Sequence, residues 1–296
     1  MPVHDEPGTQ RRLHILDDED LEALYGRPCF SVDARAENFT LEPAEVALPR
    51  SLRGVSSHVA FLLQLGYFKA KQLFFPVPFD EVAEDVAYLL ARYFPQVPQA
   101  SLQSVNTRTL FNQHHMLLAH VDYRRCGAKE RTQLAYRASQ VARLNAKPVY
   151  VFRELWQYVT EQRIVAPGYT LLQDVVGTAL TAEQTRLATI PRTNLAPEEC
   201  AALDTVLGAD SGLHLITQLK HDPKDFSLGE MRREIERATE LRPLAQLAER
   251  LFPQLDISNE GIKYYAALAR YYSVFRLRQL DTHTTDVYLL CFAYHR

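Results

Sequence analysis

An apolar spacing of three and four residues returns in almost every segment of this chain, with helix start and stop signals between the repeats. In "SSHVAFLLQLGYFKAK", Val59, Leu62, Leu63 and Tyr67 fall on one stripe. In "FDEVAEDVAYLLARYF", Val82, Val86, Leu89, Leu90 and Tyr93 do the same before Pro95. A period near 3.6 places such positions on one helix face, whereas a half-buried strand needs a period of two. No alternating pattern is sustained over several segments, and no fixed-length repeat recurs. The expected fold class is all-α, built of consecutive helical bundles.

Start and stop signals then divide the chain. "DDEDLEALYG" puts Asp17, Asp18, Glu19 and Asp20 at a helix start, where the dipole favours carboxylates, and Gly26 at its end. "TLEPAEVALPRSLRG" reads as a further helix broken near Pro49 to Gly54. The stretch "PQVPQASLQS" has prolines and small polar residues and reads as a first linker. Leu110, His114, Leu117 and Leu118 share a face that Gly127 is expected to end. Leu134, Ala138 and Val141 mark the next helix, and Phe152, Leu155, Trp156 and Val159 the one opened by Pro148. Pro197 suits a first helical position, and "SLGE" at 227 to 230 is a capping box. The expected domains are residues 1–98, a basic 104–180 and 181–296. The closing "TTDVYLLCFAYHR" aligns Val287, Leu290, Cys291 and Tyr294 and stops inside that pattern, so the chain is expected to be the amino-terminal part of a longer protein.

Composition excludes several classes. The chain of 296 residues is 47% apolar and 23% charged, as in ordinary globular proteins. Its apolar runs fall well short of the roughly 18 residues a membrane span needs. No secretory signal opens it, and Cys29, Cys126, Cys200 and Cys291 show no paired spacing, so reduced thiols in a cytoplasmic protein are expected. No phosphate-binding loop, nucleophile elbow or H-E-x-x-H motif occurs. His114, His115, His120 and Cys126 match no common zinc spacing. Neither a cofactor, a metal nor a catalytic residue is expected.

Charge is the feature that points to a partner. The formal net charge is −3, but it is unevenly spread. The first hundred residues hold nine Lys/Arg against fifteen Asp/Glu. Residues 104–150 carry Arg108, Arg124, Arg125, Lys129, Arg131, Arg137, Arg143 and Lys147 against only Asp122 and Glu130, a local charge of +6. A basic block beside an acidic start fits a polyanion partner, with a solvated helix face as the plainer alternative. Arg124, Arg125, Lys129 and Arg131 cluster round Gly127, where side chains and helix-terminal N–H groups can meet phosphates. Downstream, "TEQRIVAPGYTLLQDVVGTAL" breaks at Pro167-Gly168 and restarts with a T-x-x-Q capping box formed by Thr170 and Gln173. That joint reads either as a connection between packed helices or as a helix-turn-helix-like unit with its second helix turned to DNA.

Three stretches carry a family resemblance: "SSHVAFLLQLGYFKAKQLFFPVPFDEVAEDVAYLLARYF", "EQRIVAPGYTLLQDVV" and "YYSVFRLRQLDTHTTDVYLLCFAYHR". Together they resemble the amino-terminal region of Tn-three-family replicative transposases, in the family's order, over about residues 11–296. "RIVAPGYTLLQ" is the most diagnostic piece. The resemblance implies helical, helix-turn-helix-like domains that bind double-stranded DNA at the transposon's terminal inverted repeats. It also implies a later RNase-H-like domain with an Asp-Asp-Glu metal site, which this chain lacks, and hence recognition without strand transfer. The remainder of the transposase, a homodimer and a place on the bacterial nucleoid follow as expected associations, with no membrane. Arg163, Tyr169, Thr170 and Gln173 join the basic block as groove or backbone contacts. Thr170 as a plain cap and Tyr169 as packing stay open beside that role, as does a helical module that joins transposase protomers or a regulatory partner.

Overall fold

A computed structural model gives the fold and describes residues 13–48, 52–210 and 213–296. The fold is all-α. Its helices are α1 (Asp18–Tyr25), α2 (Val32–Phe39), α3 (Val55–Lys71), α4 (Ala83–Tyr93), α5 (Thr107–Val121), α6 (Ala128–Leu144) and α7 (Pro148–Glu161). They continue with α8 (Tyr169–Asn194), α9 (Pro197–Leu207), α10 (Leu215–Leu219), α11 (Leu228–Leu255), α12 (Asn259–Tyr271), α13 (Val274–Arg278) and α14 (Thr282–His295). Among the described residues, extended pairing is confined to a two-residue antiparallel contact, Ala209–Asp210 with Leu213–His214, and one isolated bridge between Arg124 and Ile164. No helix of the described residues is long and apolar enough to cross a membrane.

The contacts divide the chain into two compact units. An amino-terminal unit comprises His14–Thr132 and Trp156–Leu172. A carboxy-terminal unit comprises Gln133–Leu155 and Gln173–Arg296, together with Leu13. This grouping differs from three consecutive blocks in three places, the first being that Gln133–Leu155, inside the expected 104–180 domain, belongs to the carboxy-terminal unit. The "PQVPQASLQS" stretch lies inside one unit, because Val97 and Leu102 pack on the same core as Val59 and Leu117. The Gln103 N–H also donates to Ser56 Oγ at 3.0 Å. Residues 180 and 181 lie within α8, which runs unbroken because nothing interrupts it before Pro191 in its last turns.

In the amino-terminal unit α3 is the central helix, with every residue from Val59 to Phe68 buried. Gly66 allows the closest approach: a Cβ there would stand 2.2 Å from Cε1 of Phe39, the buried end of α2. One buried charge is matched within this core. Asp85 accepts from Tyr67 Oη at 2.7 Å and from Arg35 Nε at 2.6 Å, so the carboxylate is hydrogen-bonded on both oxygens. The carboxylates expected at the start of α1 are there, Asp18, Glu19 and Asp20 in its first turn, and Asp17 caps it by accepting from the Asp20 N–H.

Two local expectations are corrected here. Residues 43–47 form turns rather than an α-helix. There the Glu45 carboxylate, itself buried, accepts from the Glu42 N–H at 2.8 Å and from Lys69 Nζ at 2.7 Å. α5 ends before Gly127, at Asp122 in the left-handed conformation, whose N–H donates to the Leu118 carbonyl. Gly127 instead precedes α6 and accepts the Arg131 N–H at 3.0 Å.

In the carboxy-terminal unit α14 packs against α11 and α12. The expected one-sided stripe understates its burial, since Thr285 through Ala293 are all enclosed. Polar groups on the far side find partners: Tyr288 Oη accepts from Gln184 Nε2 at 3.1 Å, and Asp286 lies 3.1 Å from His283 Nδ1. α8 is tied to the end of α11 by Arg186, which donates to the Leu255 carbonyl at 2.7 Å while paired with the buried Glu183.

Candidate nucleic-acid interface

The connections α5–α6 and α7–α8 meet in the amino-terminal unit. Each carries a non-glycine residue in the left-handed region near its start, Asp122 at φ 56° and Arg163 at φ 50°. Aspartate tolerates that conformation better than arginine does, so surrounding bonds must hold Arg163 there. They do. The Arg124 N–H donates to the Arg163 carbonyl and the Val165 N–H to the Arg124 carbonyl, both at 2.9 Å. Ile164, 1% exposed, donates back to Val159 at 2.8 Å. The Arg163 guanidinium reaches Asp122 at 3.4 Å.

Around this joint the amino-terminal unit gathers Arg124, Arg125, Lys129, Arg131 and Arg163, all with exposed side chains, whereas Arg108, also exposed, lies in the first turn of α5, at the far end of that helix. They are not equivalent cations. Arg124 Nε is 3.6 Å from Glu130 Oε1. Glu130 Oε2 accepts the Gly127 N–H at 3.0 Å, so its carboxylate closes the start of α6. That removes the Gly127 N–H from the helix-terminal groups a phosphate could meet. Arg131 lies against Cys126, favouring its thiolate, yet burial holds the thiol above its ordinary range. Arg125 rests over the Phe111 ring and beside His114. Burial, then the charges of Arg125 and His115, lower His114 to about 4, so its ring is neutral at pH 7. Among the described residues no three His, Cys, Asp or Glu side chains group as metal ligands.

The remaining basic residues belong to the carboxy-terminal unit. Arg137 pairs with Glu154 at 3.4 Å. Arg143 and Lys147 are exposed. Lys147, after Lys263, helps hold Glu260 below the usual carboxylate range.

Tyr169, Thr170 and Gln173 are placed differently from a row of DNA contacts. The Tyr169 hydroxyl accepts from the Ile15 and Leu16 N–H groups at 3.2 and 3.1 Å. α8 begins at Tyr169, and the Gly168 carbonyl accepts from Leu171 and Leu172, so Thr170 lies inside the first turn instead of capping it. Gln173 turns its side-chain amide to the Leu13 carbonyl at 3.1 Å, so the expected capping box gives way to a long-range bond. Thr170 alone of the three is exposed. Pro167 is buried, and its carbonyl accepts from Tyr25 Oη at 3.1 Å. Gly168 is not required for space, since a Cβ there would meet nothing within 4 Å.

Two participants escaped the reading of the sequence. In the sequence Phe111 reads as an ordinary apolar residue and Glu130 as a lone acid in a basic run. The available signals were the spacing of Phe111 to His114 and His115, and of Glu130 three residues after Gly127.

Compared with known families, residues 15–179 match the model described as Domain of unknown function (DUF4158). That is more than half of the chain. The chain belongs to the DUF4158 family. Every residue proposed above as a DNA contact, from Arg108 to Gln173, falls inside the DUF4158 match. No curated protein matches the chain.

Proposed function

We propose that this chain binds double-stranded DNA at transposon terminal inverted repeats, as the amino-terminal part of a transposase, and carries no strand-transfer chemistry of its own. One observation carries the reading. Five exposed cations, Arg124, Arg125, Lys129, Arg131 and Arg163, lie on or beside a joint whose backbone is fixed by hydrogen bonds across two connections, within the DUF4158 region. The occurrence of that family in Tn-three-family transposases supports the choice of DNA, as does the resemblance of the three quoted stretches. Because Tyr169 and Gln173 are occupied with the chain near Leu13 to Leu16, the arginines and Lys129 carry the proposed phosphate contacts.

The test is binding of the full chain to an inverted-repeat duplex and to a scrambled one across salt concentrations. Replacing Arg124, Arg125, Lys129 and Arg131 together with Ala should flatten the slope of log affinity against log salt by up to about 3.6, or about 0.9 per phosphate. Both duplexes should weaken in similar proportion. A wild-type slope in this variant would return the basic block to a solvated face.

A second reading, a protein-interaction module, rests on α11. Leu228, Met231 and Ile235 recur there at helical spacing and are 66%, 50% and 65% exposed. Failure to bind either duplex, with a concentration-dependent rise in mass, would favour it.

A further inference from the structure

Arg125 differs from its basic neighbours in being held on two sides. Its guanidinium carbon lies 4.7 Å from the centre of the Phe111 ring. Its Nη2 lies 3.3 Å from His114 Nδ1. Both supports are themselves fixed. The His114 ring stacks on Phe74 with centroids 3.8 Å apart and planes 17° apart, and Phe111 meets His115 edge-on at 4.5 Å.

The protonation of His114 follows from this setting. A neutral imidazole carries its proton on one nitrogen, and only the other accepts. With Nδ1 facing a guanidinium that can only donate, the proton belongs on Nε2. Nε2 is buried with no hydrogen-bond partner, a costly arrangement that calls for a reason. Keeping Nδ1 as an acceptor for Arg125 supplies one. The guanidinium is left with its other N–H groups unspent on Phe111 or His114, and half-exposed Phe111 keeps it at the surface.

We propose that Phe111 and His114 are positioning residues that preorganise Arg125 as a clamp for one phosphodiester of bound nucleic acid. The inference rests on the DNA-binding reading and refines it: Arg125 contributes more to affinity than Arg124, whose side chain is engaged with Glu130. An arginine whose rotamer is already set loses less conformational freedom on meeting a phosphate. The phosphodiester is favoured over a base edge because Arg125 lies in the α5–α6 connection among other cations, where contacts fix position without reading sequence.

The test uses the full chain, a 30-base-pair inverted-repeat duplex and its scrambled counterpart, with binding read by fluorescence anisotropy over a salt series. Arg125→Ala should weaken both duplexes on the order of tenfold and reduce the salt slope by about 0.9. His114→Phe keeps the stacking surface and removes the acceptor, so it should weaken binding severalfold while leaving the slope nearly unchanged. His114→Gln restores an acceptor and should bind within about twofold of wild type. In the Arg125→Ala background, His114→Phe should have no further effect, since its role runs through the arginine. Phe111→Ala, at a half-exposed position, repeats the measurement if His114→Phe fails to fold. Unaltered affinity in His114→Phe or Phe111→Ala, or an equal loss with and without Arg125, would overturn the positioning role. Loss on the inverted-repeat duplex alone would replace the phosphodiester by a base. Absence of wild-type binding to either duplex would remove the DNA reading itself along with the clamp.

Discussion

The Tyr169 hydroxyl oxygen lies 3.1 Å from the Leu16 amide nitrogen and accepts its hydrogen bond. The same oxygen accepts from Ile15, and both of those residues are buried. The tyrosine that opens α8 therefore fastens the chain just before α1, while Tyr25 at the end of α1 donates to the Pro167 carbonyl. The proline-glycine joint serves as an anchor for the amino-terminal segment.

Tyr169→Phe should accordingly act on stability. It keeps the ring beside Tyr25 and leaves two backbone donors without their acceptor, at a cost of about 1–3 kcal/mol in denaturant unfolding. The salt slope of any DNA binding should stay at its wild-type value. A stable variant with altered slope would place Tyr169 at the DNA.

Packing of Val97 and Leu102 on the core of the amino-terminal unit alters what limited proteolysis should show. Residues 95–104 should resist early cleavage despite their prolines, because a protease needs locally extended, released backbone. Mapping the first cuts by mass spectrometry checks this. A dominant early cut there would mean that residues 1–98 and 104–180 behave as separate domains.

Asp286 gives a pH dependence. Burial raises its carboxyl from 3.8 to about 6, opposed by His283 and reinforced by Asp204 and Asp281. A folded-state value above the unfolded one means that the contribution to stability is full below about pH 4. It is lost as pH rises through about 6. Asp286→Asn should therefore melt higher than wild type at pH 7–8, by an amount equivalent to about 1–3 kcal/mol. The gap should narrow toward pH 4. Calorimetric scans that superimpose at pH 8 would refute the buried-acid account.

Two glycines in helices should respond in opposite directions. Gly66→Ala drives a methyl into the buried Phe39 ring and should destabilise by about 1–3 kcal/mol or more. Gly177→Ala, in α8 with nothing within 4 Å of the added Cβ, should stabilise by up to about 1 kcal/mol through helix propensity. Denaturation midpoints of the two variants decide the matter; a shared sign would show that one of the two environments is misassigned.

The basic block was legible as a composition of residues, and its differentiation was not. Eight cations against two carboxylates can be counted along residues 104–150. That Glu130 would close the start of α6, that Arg125 would rest on Phe111, and that Asp122 would meet Arg163 depends on side chains brought together by packing. The capping box at Thr170 failed for a related reason. A local motif sets only a preference of about 1 kcal/mol, and the long-range bonds of Tyr169 and Gln173 moved the helix start by outweighing it.

What the sequence determined by itself is the all-helical class and the position of most core residues, because helix periodicity and capping are short-range and act within a few residues. Val59, Leu63, Leu89, Leu134, Phe152 and Leu155 are enclosed where that periodicity puts them. What only the tertiary structure decided is the grouping into units and the use of each polar side chain. α8 continues through residue 180, α14 is enclosed on every side, and Tyr169 is held by Ile15 and Leu16. Each of these depends on partners distant in sequence, and a partner so distant leaves no period in the local chain.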